Sequence, residues 1–245
     1  MNSICCVKHV PDTAAQIKVA SDGVSIETQG VTFVPSPYDE FAVEMAIRLR
    51  EAEGGSVQIL SLGSDAVIES MRKAIAMGGD GGIHLKTDQP APDAYTTAKA
   101  IADSIKDKGF DVLWLGWKAV DTDDAQTGQL IATMLGIPCV TFVTSVTKEG
   151  DKLICQREID GGHQVVEVST PCVITAQKGE FEPRYPKLMN IMKAKKKPVE
   201  TIDITFDEPR VVIKEMTPPP PREAGKIVES AAELVRLLRE EAKVL

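Results

Sequence analysis

The sequence predicts an α/β protein whose mostly parallel sheet carries helices on both faces and is extended at one edge by antiparallel strands. Before Pro138, short apolar runs typical of buried strands alternate with stretches whose apolar residues recur at helical spacing. After Pro138, four strand-like runs follow one another with no helix between them. They are joined by short turns at Glu149-Gly150 and Asp160-Gly161-Gly162, which imply antiparallel pairing.

The first elements lead into a long helix. A buried strand is predicted at 3–9, a hairpin at 17–28 and a strand at 31–35. The hairpin turns at Asp22-Gly23, a pair that accepts the positive φ angles of a tight turn. Ser36 then caps a helix that has Pro37 at its first position and runs to Gly54. One face of this helix is apolar and is expected to pack on the sheet: Phe41, Met45, Ala46 and Leu49.

The strand and helix unit then repeats. Strands are predicted at 57–62, 83–86 and 112–117, and helices at 66–77, at 93–108 and in a stretch ending at Gly136. Gly78-Gly79 stops the first of these helices and Asp93 caps the second. Strand 112–117 is nearly all apolar, as in strands covered on both faces. The strands after Pro138 are predicted at 139–147, 152–159, 164–169 and 172–177.

The composition excludes several classes of protein. The 245 residues are 43% hydrophobic and 26% charged, which is ordinary for a folded globular chain. A formal net charge of −8 argues against a general nucleic-acid binder, because neutralising phosphates requires a basic face. No run approaches the roughly 18 apolar residues of a membrane span, and the chain starts with a strand-like run instead of a signal peptide. We therefore predict a cytoplasmic protein without membrane insertion.

The cysteines and histidines give no sign of a metal site. The cysteines are odd in number, lack C-x-x-C spacing and lie in apolar strand-like runs, so we expect them to be buried thiols. The histidines are isolated from one another. The common catalytic and nucleotide fingerprints, such as G-x-S-x-G and the P-loop, are also missing. We predict no metal ligand and no catalytic residue.

The C-terminal region is predicted to form an arm that extends from the domain. Pro218–Pro221 form a stiff spacer, and residues 227–245 predict an amphipathic helix. Its apolar face consists of Ile227, Ala231, Leu234, Val235 and Leu238. Such a helix needs a surface to bury against, which is either another chain or its own domain. We predict an α/β nucleotide-binding domain at 1–200 and a C-terminal arm at 201–245.

One segment combines the features of a ligand site. Residues 121–129 follow strand 112–117 and run into a helix. In open α/β sheets ligands bind beyond the carboxyl ends of strands, and a helix N-terminus offers unpaired N–H groups to a phosphate. The small residues Ala125, Thr127 and Gly128 allow the backbone to approach such a ligand. The alternative is that the acidic residues 121–124 only cap the helix.

That segment, together with two others, resembles the β subunit of electron-transfer flavoproteins. The other two segments are Arg157-Glu158-Ile159-Asp160-Gly161-Gly162 and Glu182-Pro183-Arg184-Tyr185-Pro186 with 190–197. Val7-Lys8, Ser36-Pro37, Ala42-Val43-Glu44 and Ala76-Met77-Gly78 also follow the order and spacing of that family. The similarity covers nearly the whole chain.

The resemblance implies a doubly wound, nucleotide-α-hydrolase-like fold and a heterodimer. The α subunit would carry the redox-active FAD, this chain would bind AMP, and the arm would wrap onto the α subunit. The complex would carry electrons from acyl-CoA-type dehydrogenases to a membrane-linked quinone reductase. The chain would then be an electron-carrier subunit and not a self-contained catalyst.

The resemblance also implies the site residues. AMP would contact Cys6, Ser36, Asp39, Leu62, Gly116, Val120, Asp121, Thr122, Asp123, Ala125, Gln126, Thr127 and Gly128. Its phosphate would rest on residues 125–127. Ser36 departs from the family, which usually has Asn there, so its contact would be weaker or mediated by water.

A second implied site is a docking loop for partner dehydrogenases, made of Leu188, Met189, Ile191 and Lys193, with Leu188 as its anchor. The alternative from the residues themselves is a buried stripe, because Leu188, Ile191 and Met192 are spaced i, i+3 and i+4.

Two other functions are weighed against this one. A branch of the family bifurcates electrons and binds a second FAD in place of AMP, and residues 10–14 resemble that branch. Asp124, however, places a carboxylate where that branch has a hydroxyl, which should repel additional phosphate charge, so AMP is favoured. A stand-alone nucleotide-binding signalling or stress module is the third possibility. Such a module would have no use for the stiff arm.

Overall fold

The computed structural model describes residues 1–89, 93–222 and 224–245, and within these ranges the chain forms eleven strands and six helices. The strands are β1 (Asn2–Cys6), β2 (His9–Pro11), β3 (Phe33–Pro35), β4 (Ser56–Gly63), β5 (Gly81–Lys86), β6 (Val112–Gly116), β7 (Cys139–Glu149), β8 (Lys152–Ile159), β9 (Gly162–Ser169), β10 (Cys172–Ala176) and β11 (Val199–Asp203). The helices are α1 (Pro37–Glu53), α2 (Val67–Met77), α3 (Ala94–Ile105), α4 (Thr127–Leu135), α5 (Leu188–Ala194) and α6 (Ala231–Glu240).

Nine strands form one sheet in the order β11-β5-β4-β1-β6-β10-β7-β8-β9. The strands from β11 to β7 are parallel, and β8 and β9 extend the sheet as an antiparallel ribbon. The predicted fold class is therefore confirmed. From β1 the chain proceeds outward to β4 and β5 on one side, then returns to place β6 on the other. The order reverses between β1 and β6, which is where open α/β sheets bind ligands.

The helices cover both faces of the sheet and create two cores. Helices α1 and α2 pack on one face, and the predicted apolar face of α1 is buried there. Helices α3 and α4 pack on the other face. Successive residues of β6 alternate between the two cores: Val112 and Trp114 enter the first, Leu113 and Leu115 the second. This alternation explains why β6 is nearly all apolar.

The prediction of antiparallel pairing was wrong for β10. The ribbon of β7, β8 and β9 is antiparallel as predicted, but β10 lies between β6 and β7 and is parallel to both. Only Thr170-Pro171 separates β9 from β10, and the chain keeps its direction as it passes from the ribbon into the sheet. All five residues of β10 are buried, so the strand is stabilised by burial on both faces.

The first 35 residues also differ in part from the prediction. The strand predicted at 3–9 ends at Cys6, and β2 pairs instead with β3 in a separate two-stranded sheet. The predicted hairpin does turn at Asp22-Gly23, where the Asp22 carboxylate accepts the N–H groups of Val24 and Ser25. It forms a single bridge, Val19 to Ile26, instead of two strands.

The arm begins inside the sheet. Strand β11 pairs with β5, so the predicted domain boundary at residue 200 falls within a strand. The chain then follows the start of α3, where Asp93 accepts the N–H of Thr96 as a helix cap and the N–H groups of Arg210 and Val211 from the arm. One carboxylate therefore both caps α3 and holds the arm.

The C-terminal helix is shorter than predicted. Helix α6 starts at Ala231, after a Ser230 cap that accepts the N–H of Glu233, so Ile227 lies outside it and is fully exposed. No residue of α6 is buried, although Leu234 and Val235 share an apolar face. The alternative that this helix folds back onto its own domain is therefore not what the structure shows. Across the described ranges, no helix is long and apolar enough to cross a membrane.

Candidate functional site

A cleft that is partly open to solvent lies at the carboxyl ends of β1 and β6. It occupies the point where the strand order reverses. Its floor comes from the ends of β1, β4 and β6, and its walls from the starts of α3 and α4 and the loop between β6 and α4.

Asp39 joins the two strands that border the cleft. It lies in the first turn of α1, and its two carboxylate oxygens accept the backbone N–H groups of Lys8 and Gly116, each at 2.8 Å. These N–H groups belong to the segments that follow β1 and end β6. Burial raises the pKa of Asp39 to about 7, although the two N–H bonds act to lower it. A side chain on α1 thus fixes the width of the crevice.

Two ion pairs hold the loop between β6 and α4, one to the segment after β1 and one within the loop. Asp121 contacts Lys8 at 2.7 Å, and Asp123 contacts Lys118 at 2.8 Å. Asp123 and Ala125 both adopt a φ of 53°, a left-handed conformation that bends the chain sharply before the helix. The acidic residues therefore position the loop.

The N-terminus of α4 opens toward the cleft without a side-chain cap from the described residues. Its N-cap is Gln126, which forms no capping hydrogen bond. The alternative that residues 121–124 only cap this helix is therefore wrong. The first N–H groups of a helix have no partner within it and carry partial positive charge. Gln126, Thr127 and Gly128 all line the cleft, so these donors are available to an anion.

Gly128 is required by packing. A Cβ atom at this position would lie 2.5 Å from Cγ2 of Thr175 on β10. Only glycine allows the first turn of α4 to lie this close to the sheet. The helix end therefore reaches the cleft because residue 128 has no side chain.

Nine of the thirteen predicted nucleotide contacts line the cleft: Cys6, Asp39, Leu62, Gly116, Thr122, Ala125, Gln126, Thr127 and Gly128. Val120, Asp121 and Asp123 are not part of its lining, and the two aspartates form the ion pairs described above. Ser36 also lies outside the lining. It is completely buried, and its hydroxyl has no hydrogen-bond partner among the described residues.

The predicted site residues did not include any residue of α3, although this helix forms one wall of the cleft. Ala94, Thr97 and Ile101 line the cleft opposite α4. The signal that could have found them is the Asp93 cap, since it marks a second helix that starts at the same edge of the sheet. The cleft thus combines an apolar wall from α3 with the polar donors of α4.

An aromatic group supports the far side of the cleft. Trp117 contacts Tyr38 edge to face at 5.4 Å and Phe142 at 4.8 Å, with the Lys118 ammonium 4.8 Å above its ring. Phe142 has a φ of 57°, and the register between β10 and β7 shifts beside it. The indole N–H of Trp117 is buried and has no partner within the described ranges.

The Cys6 thiol, which lines the cleft, is not activated as a nucleophile. Burial and the nearby Asp39 raise the pKa of the Cys6 thiol well above its ordinary value, so it remains protonated. No group of His, Cys, Asp or Glu in the described part of the chain has the arrangement of a metal site. The Cys6 side chain therefore lines the cleft as a neutral thiol.

The predicted docking residues lie on a separate surface. Leu188, Met189 and Ile191 on α5 are exposed, as is Lys193. Only Ala194 of this helix is buried. The alternative of a buried stripe formed by Leu188, Ile191 and Met192 is therefore wrong.

The sequence matches known proteins along its whole length. Residues 23–207 match a family model described as the electron transfer flavoprotein domain. The chain is 36% identical over 259 aligned positions to the electron transfer flavoprotein subunit beta of Bacillus subtilis, with 100% of both chains covered. The chain belongs to the electron-transfer flavoprotein β-subunit family. It is therefore a subunit of an electron-transport flavoprotein.

Two further relatives come from other organisms. The subunit beta of Syntrophomonas wolfei is 40% identical over 232 residues, which cover 94% of this chain and 91% of the relative. The mitochondrial subunit beta of Arabidopsis thaliana is 38% identical over 255 residues, with 100% of both chains covered. Because the Arabidopsis alignment covers the whole chain, it includes residues 201–245, and the arm is part of the similarity.

Proposed function

We propose that this chain is the AMP-binding small subunit of a heterodimeric electron-transfer flavoprotein. Its partner α subunit holds the redox-active FAD. The complex carries electrons from acyl-CoA-type dehydrogenases to a membrane-linked quinone reductase, in the cytoplasm. The names of the relatives, which specify a beta subunit, support the existence of a second subunit.

The observation that carries the nucleotide assignment is the uncapped start of α4 at the reversal point of the sheet. A phosphate group binds there through backbone N–H groups, in the positive end of the helix dipole. The aliphatic wall of Leu62, Ala94 and Ile101 suits the adenine ring. The cleft thus has polar N–H groups at one end and apolar side chains at the other, as a mononucleotide ligand requires.

The carboxylate of Asp124 favours one phosphate over two at the start of α4. Asp124 lines the cleft close to the start of α4. A carboxylate at this place opposes the extra negative charge of a dinucleotide such as FAD. We therefore assign AMP to this subunit, where it stabilises the fold and takes no part in redox chemistry. The FAD of the α subunit supplies the redox chemistry.

The exposed arm is assigned to the α subunit. Helix α6 has no buried residue, and Val211, Val212 and Ile213 are also exposed. Exposed apolar surface of this extent is typical of a binding interface. Packing of this arm on the α subunit would bury the apolar face of α6, which the α/β domain leaves open.

The substitution Thr127→Asp tests the nucleotide site. Thr127 is the first residue of α4 and lines the cleft. An aspartate in a first helical turn stabilises the helix, but it places negative charge where the phosphate would bind. We expect a folded complex that has lost AMP, measured as nucleotide released per complex on denaturation. The control Thr127→Ser should keep its AMP, and full AMP in the aspartate variant would contradict the site.

A further inference from the structure

The segment 185–193 exposes a large apolar surface that its own packing does not stabilise. Tyr185 is 96% exposed, Leu188 74%, Met189 68% and Met192 63%. Helix α5, which starts in this segment and ends at Ala194, has seven residues and buries only Ala194. An isolated helix of this length is unstable in water. The conformation of the segment must therefore be held by residues outside it.

The N-terminal end of the segment is held on α1. The side chain of Arg184 contacts Glu44 at 2.8 Å and Glu51 at 2.6 Å, and its backbone N–H donates to Glu44 at 3.1 Å. The Glu44 side chain is only 2% exposed. Burial acts to raise the pKa of Glu44, but hydrogen bonds from Arg184 and Arg48 outweigh it and lower that pKa. Glu44 therefore stays charged and fixes both the side chain and the main chain of Arg184.

The C-terminal end of the segment is held on α2. Nη1 of Arg72 donates hydrogen bonds to the carbonyl oxygens of Ala194 at 2.6 Å and Lys197 at 2.7 Å. The last carbonyls of a helix lack helical partners, and a cation beside them compensates the negative end of the dipole. The Lys197 ammonium in turn donates to the carbonyl oxygen of Gly79, just beyond α2. The segment is thus attached to the domain at both ends, while its middle faces solvent.

We propose that Arg184 and Arg72 are positioning residues that hold segment 185–193 in the conformation that an acyl-CoA-type dehydrogenase binds. This inference rests on the proposed function and on the docking site that the family resemblance implies at Leu188, Met189, Ile191 and Lys193. The exposed cations beside the apolar residues, Lys187, Lys193, Lys195 and Lys196, fit an acidic surface on that partner. Ordering the segment before the encounter lowers the entropic cost of binding.

Arg72→Met in the αβ complex is the direct test, because it removes both hydrogen bonds but leaves every exposed docking residue in place. Lys73→Met is the matched control, since Lys73 is the next residue on α2 and pairs with Glu69 at 2.8 Å. Arg72→Lys keeps a cationic donor on a shorter side chain, so its exchange rate and half-saturation should lie between those of the wild type and Arg72→Met. Arg184→Met would leave Glu44 buried with one fewer cation and so risks unfolding, which makes Arg72 the better site.

Two quantities are measured: hydrogen exchange of the amides of residues 188–194, and the concentration of a purified acyl-CoA dehydrogenase that gives half-maximal electron transfer. For Arg72→Met we expect about tenfold faster exchange confined to this segment and about tenfold higher half-saturation. The maximal rate, flavin content and melting temperature should not change. A purely structural role would instead lower the melting temperature and leave half-saturation unchanged.

Unchanged exchange in Arg72→Met overturns the proposal, because the segment would then be ordered without this residue. Faster exchange with unchanged half-saturation also overturns it, provided that Leu188→Ala does raise half-saturation. If Leu188→Ala leaves half-saturation unchanged as well, the docking site itself is wrong, and the proposal that depends on it is wrong too.

Discussion

The stability of the chain should depend on pH through Asp39. The folded pKa of this carboxyl is about 7, against an ordinary value of 3.8, because the group is buried. Between these values the folded chain binds the proton and the unfolded chain does not. Stability therefore falls as pH rises across this window, by about 1.4 kcal/mol per pH unit at most. From pH 5 to pH 7.5 the loss amounts to about 2 to 3 kcal/mol.

Asp39→Asn isolates this effect. The amide does not titrate, and its oxygen can still accept the N–H of either Lys8 or Gly116, while its NH₂ group faces the other. We expect the free energy of unfolding of the variant to change less with pH than that of the wild type. Glu40 is partly buried, and burial raises its pKa as well, but it is present in both chains and cancels in the difference.

Urea denaturation of the nucleotide-free chain at several pH values measures the effect. Between pH 5 and pH 7.5 the free energy of unfolding of the wild type should fall relative to that of Asp39→Asn. Any advantage in stability that the wild type has at pH 5 should therefore shrink or reverse by pH 7.5. Parallel curves over this range would refute the reasoning. They would show that the two N–H bonds outweigh burial and keep the carboxylate ionised throughout.

Two further predictions concern the exposed surfaces. Leu188→Ala should leave the melting temperature and flavin content nearly unchanged, because the side chain is 74% exposed, yet it should weaken dehydrogenase docking by about 2 kcal/mol, seen as a slower electron-transfer rate. A lower melting temperature with a normal rate would contradict the docking role. Truncation after Thr217 should leave the α/β domain folded, because α6 buries nothing on it, but should weaken assembly with the α subunit by several kcal/mol, at roughly 1.5 to 3 for each buried Leu or Val. An unchanged dissociation constant for the αβ complex would refute this assignment of the arm.

The parts of the fold that were predicted correctly are those set by local pattern. The apolar face of α1, the continuous apolar run of β6 and the turn at Asp22-Gly23 each follow from residues close together in sequence. The position of β10 depends on pairing between distant strands. Its residues suit a buried strand of either direction, so the sequence left its place in the sheet open.

The same distinction applies to the candidate site. The loop at 121–129 could be located because it follows an apolar strand and enters a helix. The pairing of Asp121 with Lys8 could not be predicted, because the two residues are far apart in sequence and meet only through the β1–β6 pairing. The place of the α3 wall also depends on the order of the strands, although the Asp93 cap marks the start of that helix. The attachment of segment 185–193 by Arg72 likewise joins residues more than a hundred positions apart.

Extraction and weighing of the nucleotides from the co-purified αβ complex tests the proposed function most directly. The complex is denatured, and the released nucleotides are identified by mass and counted per complex. The cleft, with its uncapped helix end and the Asp124 carboxylate, predicts one AMP, and the proposed α subunit contributes one FAD. Two FAD and no AMP would contradict the assignment and show that this cleft binds a second flavin.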